Sequence, residues 1–318
     1  MADGRGTLRQ WHGILADDAD WPPPRCAVKS ELEARPHYSH ENASEFVEAP
    51  GVLDAKVSLL VELLQLSRQT CVYTGAGLST AAGVGDYASR AKGSLVEKEG
   101  STNRLKLKPT RSHRVLASLE KRGMLHHWLQ QNHDGLAQKA GFPWGKLNEV
   151  HGSWFDKNNP VVQIDGVLRP DLLEWMVQWT ERADLVLAMG TSLCGMNADN
   201  VALSCAQRFT QERLGLGLVV VNLQTTPYDE MASLRIFAKI DDVMARVAKK
   251  LKLKLDPQEY SPYPPPGSGR SRRIDQWLNP GYQVFTVPQP RRVATDPNVE
   301  DLVNESDHEH QEGMAVQT

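Results

Sequence analysis

The chain has no apolar run near the ~18 residues a membrane-spanning helix requires. Its first residues, Met1-Ala2-Asp3-Gly4-Arg5-Gly6, lack the apolar core of a secretion signal. The expectation is an intracellular protein, nuclear or cytoplasmic, with no membrane partner. Cysteine is scarce: Cys26, Cys71, Cys194 and Cys205 are all there is, and none forms a Cys-x-x-Cys pair. Four scattered thiols in a chain of 318 residues predict reduced core side chains. A four-thiolate zinc site would have to draw Cys71 out of an apparent buried strand, so no metal is expected. Nor is there an excess of charge of one sign: 36 Lys and Arg face 39 Asp and Glu. This excludes a wholly basic nucleic-acid binder but not a local basic patch. Internal repeats are absent.

What is present is enough apolar residue, 40% of the chain, for one large domain or two small ones. Residues 1–45 read as an extension, proline-rich at Trp21-Pro22-Pro23-Pro24, whose order depends on docking. The spacing of Leu53, Val57, Leu60, Leu63 and Leu64 predicts an amphipathic helix. Strand-like runs follow at Thr70–Thr74, His127–Gln130, Ala183–Met189 and Leu218–Val221. Helical patterns follow Thr110 as far as Gly123, precede Gly141, and span Asp241 to Leu253. Buried strands alternating with helices predict an α/β fold, a doubly wound parallel sheet covered on both faces, over residues 46–256. Residues 257–318 have a linker-like composition (Pro262, Pro264, Pro265, Pro266, then Gly267-Ser268-Gly269-Arg270). Trp277 to Phe285 are candidates to dock back, and the last twenty residues, with six acids and no Lys or Arg, read as a solvated tail.

Three segments carry chemistry. Gly75-Ala76-Gly77 follows a strand and precedes an expected helix near Ser79-Thr80-Ala81-Ala82, the geometry in which backbone N–H groups approach a phosphate; an ordinary tight turn has the same pattern. Thr80 stands where a dehydrogenase fingerprint has its third glycine. No acid ends a second strand at the usual ~20-residue spacing, which disfavours hydride transfer. Gln131-Asn132-His133-Asp134 ends another strand, where amides and a carboxylate can hold ribose or carboxamide groups, or simply cap a turn. In Glu149-Val150-His151-Gly152, a histidine titrating near neutrality can take a proton from a sugar hydroxyl, or be a hydrogen-bonded surface residue.

Together these segments resemble the sirtuin family. Tyr73-Thr74-Gly75-Ala76-Gly77-Leu78-Ser79-Thr80-Ala81-Ala82 is similar to its NAD-binding loop. Gln131-Asn132-x-Asp134-Gly135-Leu136, Glu149-x-His151-Gly152, Gly190-Thr191-Ser192-Leu193 and Val221-Asn222-Leu223-Gln224-x-Thr226-Pro227-x-Asp229 are similar to its later motifs, in order. The last block and Asp241-Asp242-Val243-Met244 most resemble the branch with the nuclear animal sirtuins. The resemblance implies an NAD-dependent protein-lysine deacylase, most simply a deacetylase. In such enzymes an acyl-lysine oxygen attacks the nicotinamide ribose, nicotinamide leaves, and the acyl group passes to ADP-ribose. It implies His151 as the base, Asn132 orienting the ribose and Asp134 holding the carboxamide. Ala76 would give backbone contacts, and Thr191, Ser192 and Asn222 would hold phosphate and adenosine ribose. Gly75, Gly77, Ser79, Asp86, Tyr87, Gln131, Gly190 and Leu223 complete the implied cofactor set.

Three departures qualify it. Where the family has Pro-Asp-Phe-Arg, this chain has Gly85-Asp86-Tyr87-Ala88; Tyr87 can shield a ribose, and Arg90 is near enough in sequence to replace the lost arginine. The family's four zinc cysteines are missing between Gly152 and Leu168, so the second lobe must be reduced or held by Trp154, Phe155, Val161 and Val162. After Arg169-Pro170, the peptide-pairing strand is replaced by Asp171-Leu172-Leu173-Glu174-Trp175-Met176, which has helical character. An NAD-cleaving ADP-ribosyltransferase or hydrolase, and a noncatalytic NAD sensor, therefore stand as alternatives. The stretch 90–122, with ten Lys and Arg against three Glu, is a lid, an acid-steering patch or solvated surface; nucleic-acid binding is a minority reading.

Overall fold

The computed structural model describes residues 6–38, 40–96, 103–163 and 166–267. The expected docking segment 277–285 and the acidic tail lie outside them, as does part of the basic stretch. Helices are α1 (Gly6–His12), α2 (Pro50–Leu66), α3 (Arg111–Lys121), α4 (Leu136–Lys139), α5 (Pro170–Arg182), α6 (Asn200–Gln207) and α7 (Ile240–Leu251). Strands are β1 (Arg25–Val28), β2 (Glu45–Val47), β3 (Thr70–Thr74), β4 (His127–Gln130), β5 (Leu147–Glu149), β6 (Leu185–Met189), β7 (Gly217–Val221) and β8 (Leu234–Ile236). No helix among the described residues is long and apolar enough to cross a membrane.

Six parallel strands form one sheet in the order β5-β4-β3-β6-β7-β8. Every residue of all six is buried, which is why the central β6 and β7 read as continuous apolar runs without alternation. Val72, Trp128, Leu187 and Val219 face a core shared with α2, α3 and α7. Tyr73, Leu129, Val186 and Val220 face the opposite core, with α5 and α6. The doubly wound α/β expectation is thus met. The chain winds outward through β4 and β5, then restarts beside β3 at β6, so the sheet has a switch point where β3 and β6 meet.

The described parts of both flanking segments dock. Trp11 of α1 packs against Phe46 and Phe237, with ring centroids 5.2 and 5.6 Å apart. The N–H groups of Ile14 and Leu15 donate to Ala232 and Ser233 carbonyls. Beneath them Lys56 and Glu48, both fully buried, pair at 2.5 Å, and Lys56 also donates to the Trp11 carbonyl. The linker expected from Asp256 onward is corrected over its described part. Tyr260 N–H donates to Lys139 O, its ring lies against Gly141, and Tyr263 meets Phe155 edge-on at 5.6 Å. Basic residues of α3 and its C-terminal end secure this return: Arg114 donates to the Asp256 and Gln258 carbonyls, Lys121 pairs with Asp256, and Arg122 holds the Leu251 and Lys252 carbonyls. These three cations are taken up by the chain's own carbonyls and by Asp256.

Candidate active site

Parallel strands place their C-terminal ends on one edge, and a crevice opens there at the switch point. The cavity has a volume of about 1010 Å³. Its floor is built by glycine. The Gly77 N–H donates to Gly190 O at 3.0 Å, and a Cβ on Gly190, whose φ is +60°, would sit 2.7 Å from the Gly77 backbone. Only glycine permits that contact between the loops leaving β3 and β6. The helix expected near Ser79 is corrected to two short 3-10 turns, Ala76–Leu78 and Thr80–Ala82, ended by Gly83 at φ 85°. Thr80 Oγ1 folds back on Gly77 O, so the local polar groups satisfy one another rather than extending a helix.

Most of the expected residues converge. Gly75, Ala76, Gly77, Asp86, Tyr87, Gln131, Asn132, Asp134, His151, Gly190, Thr191, Ser192, Asn222 and Leu223 all line this one cavity. Ser79 is corrected: it does not line the cavity but lies fully buried beneath it. There its hydroxyl donates to Asp134 Oδ2 at 2.6 Å and accepts from Asn132 Nδ2 at 3.1 Å. Asn132 Nδ2 also reaches Gly75 O at 3.0 Å, tying the β4 end to the glycine loop. Burial raises the Asp134 carboxyl, and the Ser79 hydroxyl and Leu136 N–H pull it back. A second chain of bonds runs from Thr191 Oγ1 through Gln131 Nε2 to the Tyr73 hydroxyl and on to Asp199, which also accepts from the Gly195 and Met196 N–H groups. These side chains are rigid before any ligand arrives.

His151 stands at the rim of β5, and burial first, then the nearby His133, lowers its pKa to about 4. This corrects the expectation of titration near neutrality: the imidazole is held neutral, able to accept a proton at pH 7 without first losing one. Asp86 is occupied by its own turn, accepting from the Ser89 N–H and hydroxyl. Arg90 does not take over for Ala88 as a free cation; its Nη1 donates to Glu33 O at 3.1 Å.

The zinc-ligand chemistry does not fit. Among the described residues no three His, Cys, Asp or Glu side chains gather; Cys71, Cys194 and Cys205 are free and buried, while Cys26 is exposed rather than in the core. The segment after His151 is instead held by Asn159, whose amide donates to Glu149 O, by the Trp154 N–H to His133 O, and by Arg104 over the Trp154 ring at 4.2 Å. Other wall residues were not legible as such: Arg35, Pro36 and Tyr38 from the N-terminal segment, Leu95 and Val96, and Leu168. Nothing short of the docked fold brings them there.

Fold and crevice together define a doubly wound α/β protein with a large cavity at its switch point. The Sir2 family model matches residues 95–160. An NAD-dependent protein deacetylase, SRT1 of Arabidopsis thaliana, is 30% identical over 256 residues, covering 67% of this chain and 53% of that protein. The NAD-dependent protein deacetylase sirtuin-7 of Homo sapiens is 27% identical over 332 residues, 89% of this chain and 76% of that one. A solved complex of Sir2 with a p53 peptide and NAD+ superposes with a TM-score of 0.53 at 25% identity, over 62% of this chain and 98% of that chain. The chain belongs to the Sir2, or sirtuin, family. It spans about half the length of the plant relatives it matches.

Proposed function

We propose that the protein is an NAD-dependent protein-lysine deacylase. The observation that carries this reading is the convergence on one cavity of a neutral, half-buried histidine with the amide, carboxylate, hydroxyl and glycine groups around it. The donor set fits NAD. Gly75–Gly77 and the Thr191 and Ser192 hydroxyls suit phosphate, Asn222 and Leu223 the adenosine end, Asn132 the other ribose, and Asp134 a carboxamide. NAD, when bound, supplies the nicotinamide–ribose bond whose cleavage makes acyl transfer favourable. Asn132, anchored to Gly75 O and Ser79, orients the sugar. His151 takes the proton from a ribose hydroxyl so that its oxygen can accept the acyl group; its low pKa makes it a modest base, ready at neutral pH. Tyr87, with 80% of its surface exposed, is placed to cover the sugar once ligand is present. Residues 46–256 form the catalytic body in this reading, within an intracellular protein.

A second reading, cleavage of NAD with transfer of ADP-ribose to protein or water, is favoured by one observation. Pro170 opens helix α5 where the family has a peptide-pairing strand, so peptide capture by strand addition has no partner there. Val161, Val162 and Gln163, which line the cavity beside His151, are the remaining place for an acyl-lysine peptide in the deacylase reading.

The test is nicotinamide release from NAD by the purified protein, with and without a pool of acetyl-lysine peptides, beside His151→Ala. Deacylation gives peptide-dependent release that the variant loses while still binding NAD. Peptide-independent release moves the assignment to ADP-ribosyl transfer or hydrolysis. Saturable NAD binding with no turnover leaves a sensor.

A further inference from the structure

The N-terminal segment forms part of the cavity wall, and its packing explains the alanine at position 88. Ala34, Ala43 and Ala91 make a small buried cluster against which Ala88 packs. Gln224 Nε2 donates to Ala88 O at 2.9 Å and reaches Ala43 O at 3.5 Å. The Ala34 N–H donates to Glu41 O, the Ala43 N–H to Leu32 O, and Arg90 clamps Glu33 O. A long side chain at 88 would have to displace this segment; a methyl lets it dock.

Docking delivers Arg35. Its guanidinium carbon lies 5.4 Å from the centre of the Tyr38 ring and 5.8 Å from that of Tyr87, and all three residues line the cavity. Two residues on, the chain turns through His37 at φ +70°, a conformation uncommon outside glycine. Among the described residues the Arg35 guanidinium makes no hydrogen bond or ion pair; two aromatic faces flank it and Asp199 lies within its field, so its fork of donors is unfilled.

Each acid in the wall takes its hydrogen bonds from groups other than this guanidinium. Glu45 accepts from Ser94 and the Leu95 N–H, Asp86 from Ser89, Asp134 from Ser79 and the Leu136 N–H, and Asp241 from Ser112. Asp199, whose charge Arg35 helps to stabilise, already accepts from Tyr73 and two N–H groups. Of the other Lys and Arg in the wall, Arg90 is tied to Glu33 O, and Lys239 is exposed at the head of α7.

We propose that Arg35 binds a phosphate of the dinucleotide, so that the N-terminal segment provides the cation which the loop 85–88 lacks. The proposal rests on the NAD reading above. A guanidinium held by two rings loses little freedom on pairing with phosphate, and the pair is charge-assisted.

The experiment is calorimetric titration of the full chain with NAD, ADP-ribose and adenosine, for wild type, Arg35→Gln and Arg35→Lys. The expected result is that Arg35→Gln weakens NAD and ADP-ribose about tenfold or more while adenosine, which has no phosphate, binds as before. Arg35→Lys recovers part of the loss. The salt dependence of ADP-ribose binding becomes shallower in the Gln variant. Ligand-free melting of both variants falls only slightly, by the ring contacts and the field on Asp199, since the guanidinium hydrogen-bonds to no described residue. Equal ADP-ribose affinity in wild type and Arg35→Gln, or a matching loss for adenosine, overturns the proposal and leaves the cofactor reading standing. Binding of neither NAD nor ADP-ribose by wild type overturns both.

Discussion

His127→Phe isolates the cost of burying a titratable ring in the sheet. His127 is fully buried on β4, stacked on Trp179 at 4.6 Å and 4° and edge-on to Trp175 at 4.6 Å. Neither ring nitrogen has a hydrogen-bond partner among the described residues, and burial drives its pKa well below 6.5. A histidine whose folded pKa is depressed takes its proton only on unfolding. Its contribution is therefore complete above the unfolded pKa and is lost as pH falls below it. With an unfolded pKa of ~6.5, the penalty is under ~0.1 kcal/mol at about pH 7.5 and ~2 kcal/mol at about pH 5.0. Phenylalanine keeps the ring stack and carries no proton. His12 and His151, lowered to about 4, and His113, lowered to about 3, titrate in both proteins and cancel in the difference. Urea unfolding of wild type and His127→Phe at both pH values is thus expected to show the stability difference moving ~2 kcal/mol toward the variant at the lower pH. A difference independent of pH refutes the reasoning, because it means the folded ring protonates as readily as the unfolded one.

Gly190→Ala is expected to cost about 2–4 kcal/mol and to abolish NAD binding, since the new Cβ meets the Gly77 backbone at 2.7 Å at a positive φ; wild-type melting and affinity would contradict the glycine contact. Lys56→Met leaves Glu48 buried without its ion-pair partner and is expected to lose about 3–5 kcal/mol, most of it restored by adding Glu48→Gln; an additive double variant would count against the pair. Exhaustive chelation is expected to leave the melting temperature unchanged, because the described residues gather no ligand set; a clear drop would reveal a structural metal.

The sheet was legible because burial on both faces erases alternation: Leu185–Met189 and Gly217–Val221 can be little else than central parallel strands. The helix before Gly123 was legible through the spacing of Val115, Leu116 and Leu119, and the structure adds a capping box in which the Thr110 hydroxyl accepts from the His113 N–H. The site was legible to the extent that it is local. Gly75–Gly77, Asn132, Asp134 and Thr191 follow strand ends, and strand ends of a parallel sheet converge. Ser79 sits in the same motif yet faces Asp134 from beneath, a distinction of face that short 3-10 turns hide from any periodicity. Proline-rich composition misled for a related reason. It reports the conformations a backbone prefers, whereas Tyr260 and Tyr263 are placed by what they touch, Gly141 and Phe155. The pKa of His151 was out of reach too, since it depends on burial and on His133, eighteen residues away in sequence.

The same contacts show how the fold holds its second lobe without the family's thiolates. A zinc module contributes its own folding free energy, so a chain without one must fix the segment after His151 by other means. Here three parts of the chain converge on it. Asn159 binds it to β5, Arg104 covers Trp154 from the basic stretch, and Phe155 is enclosed by Gly135, Lys139 and the returning Tyr263. On the opposite wall, the N-terminal segment closes over Ala88 and brings Arg35 and Tyr38 to the rim. In each case a residue type absent from the motif, cysteine in one and arginine in the other, coincides with a terminal segment packed beside the vacant role. Both departures from the family pattern thus fall where described parts of the flanking segments pack, and the cavity is walled by those parts as well as by the sheet.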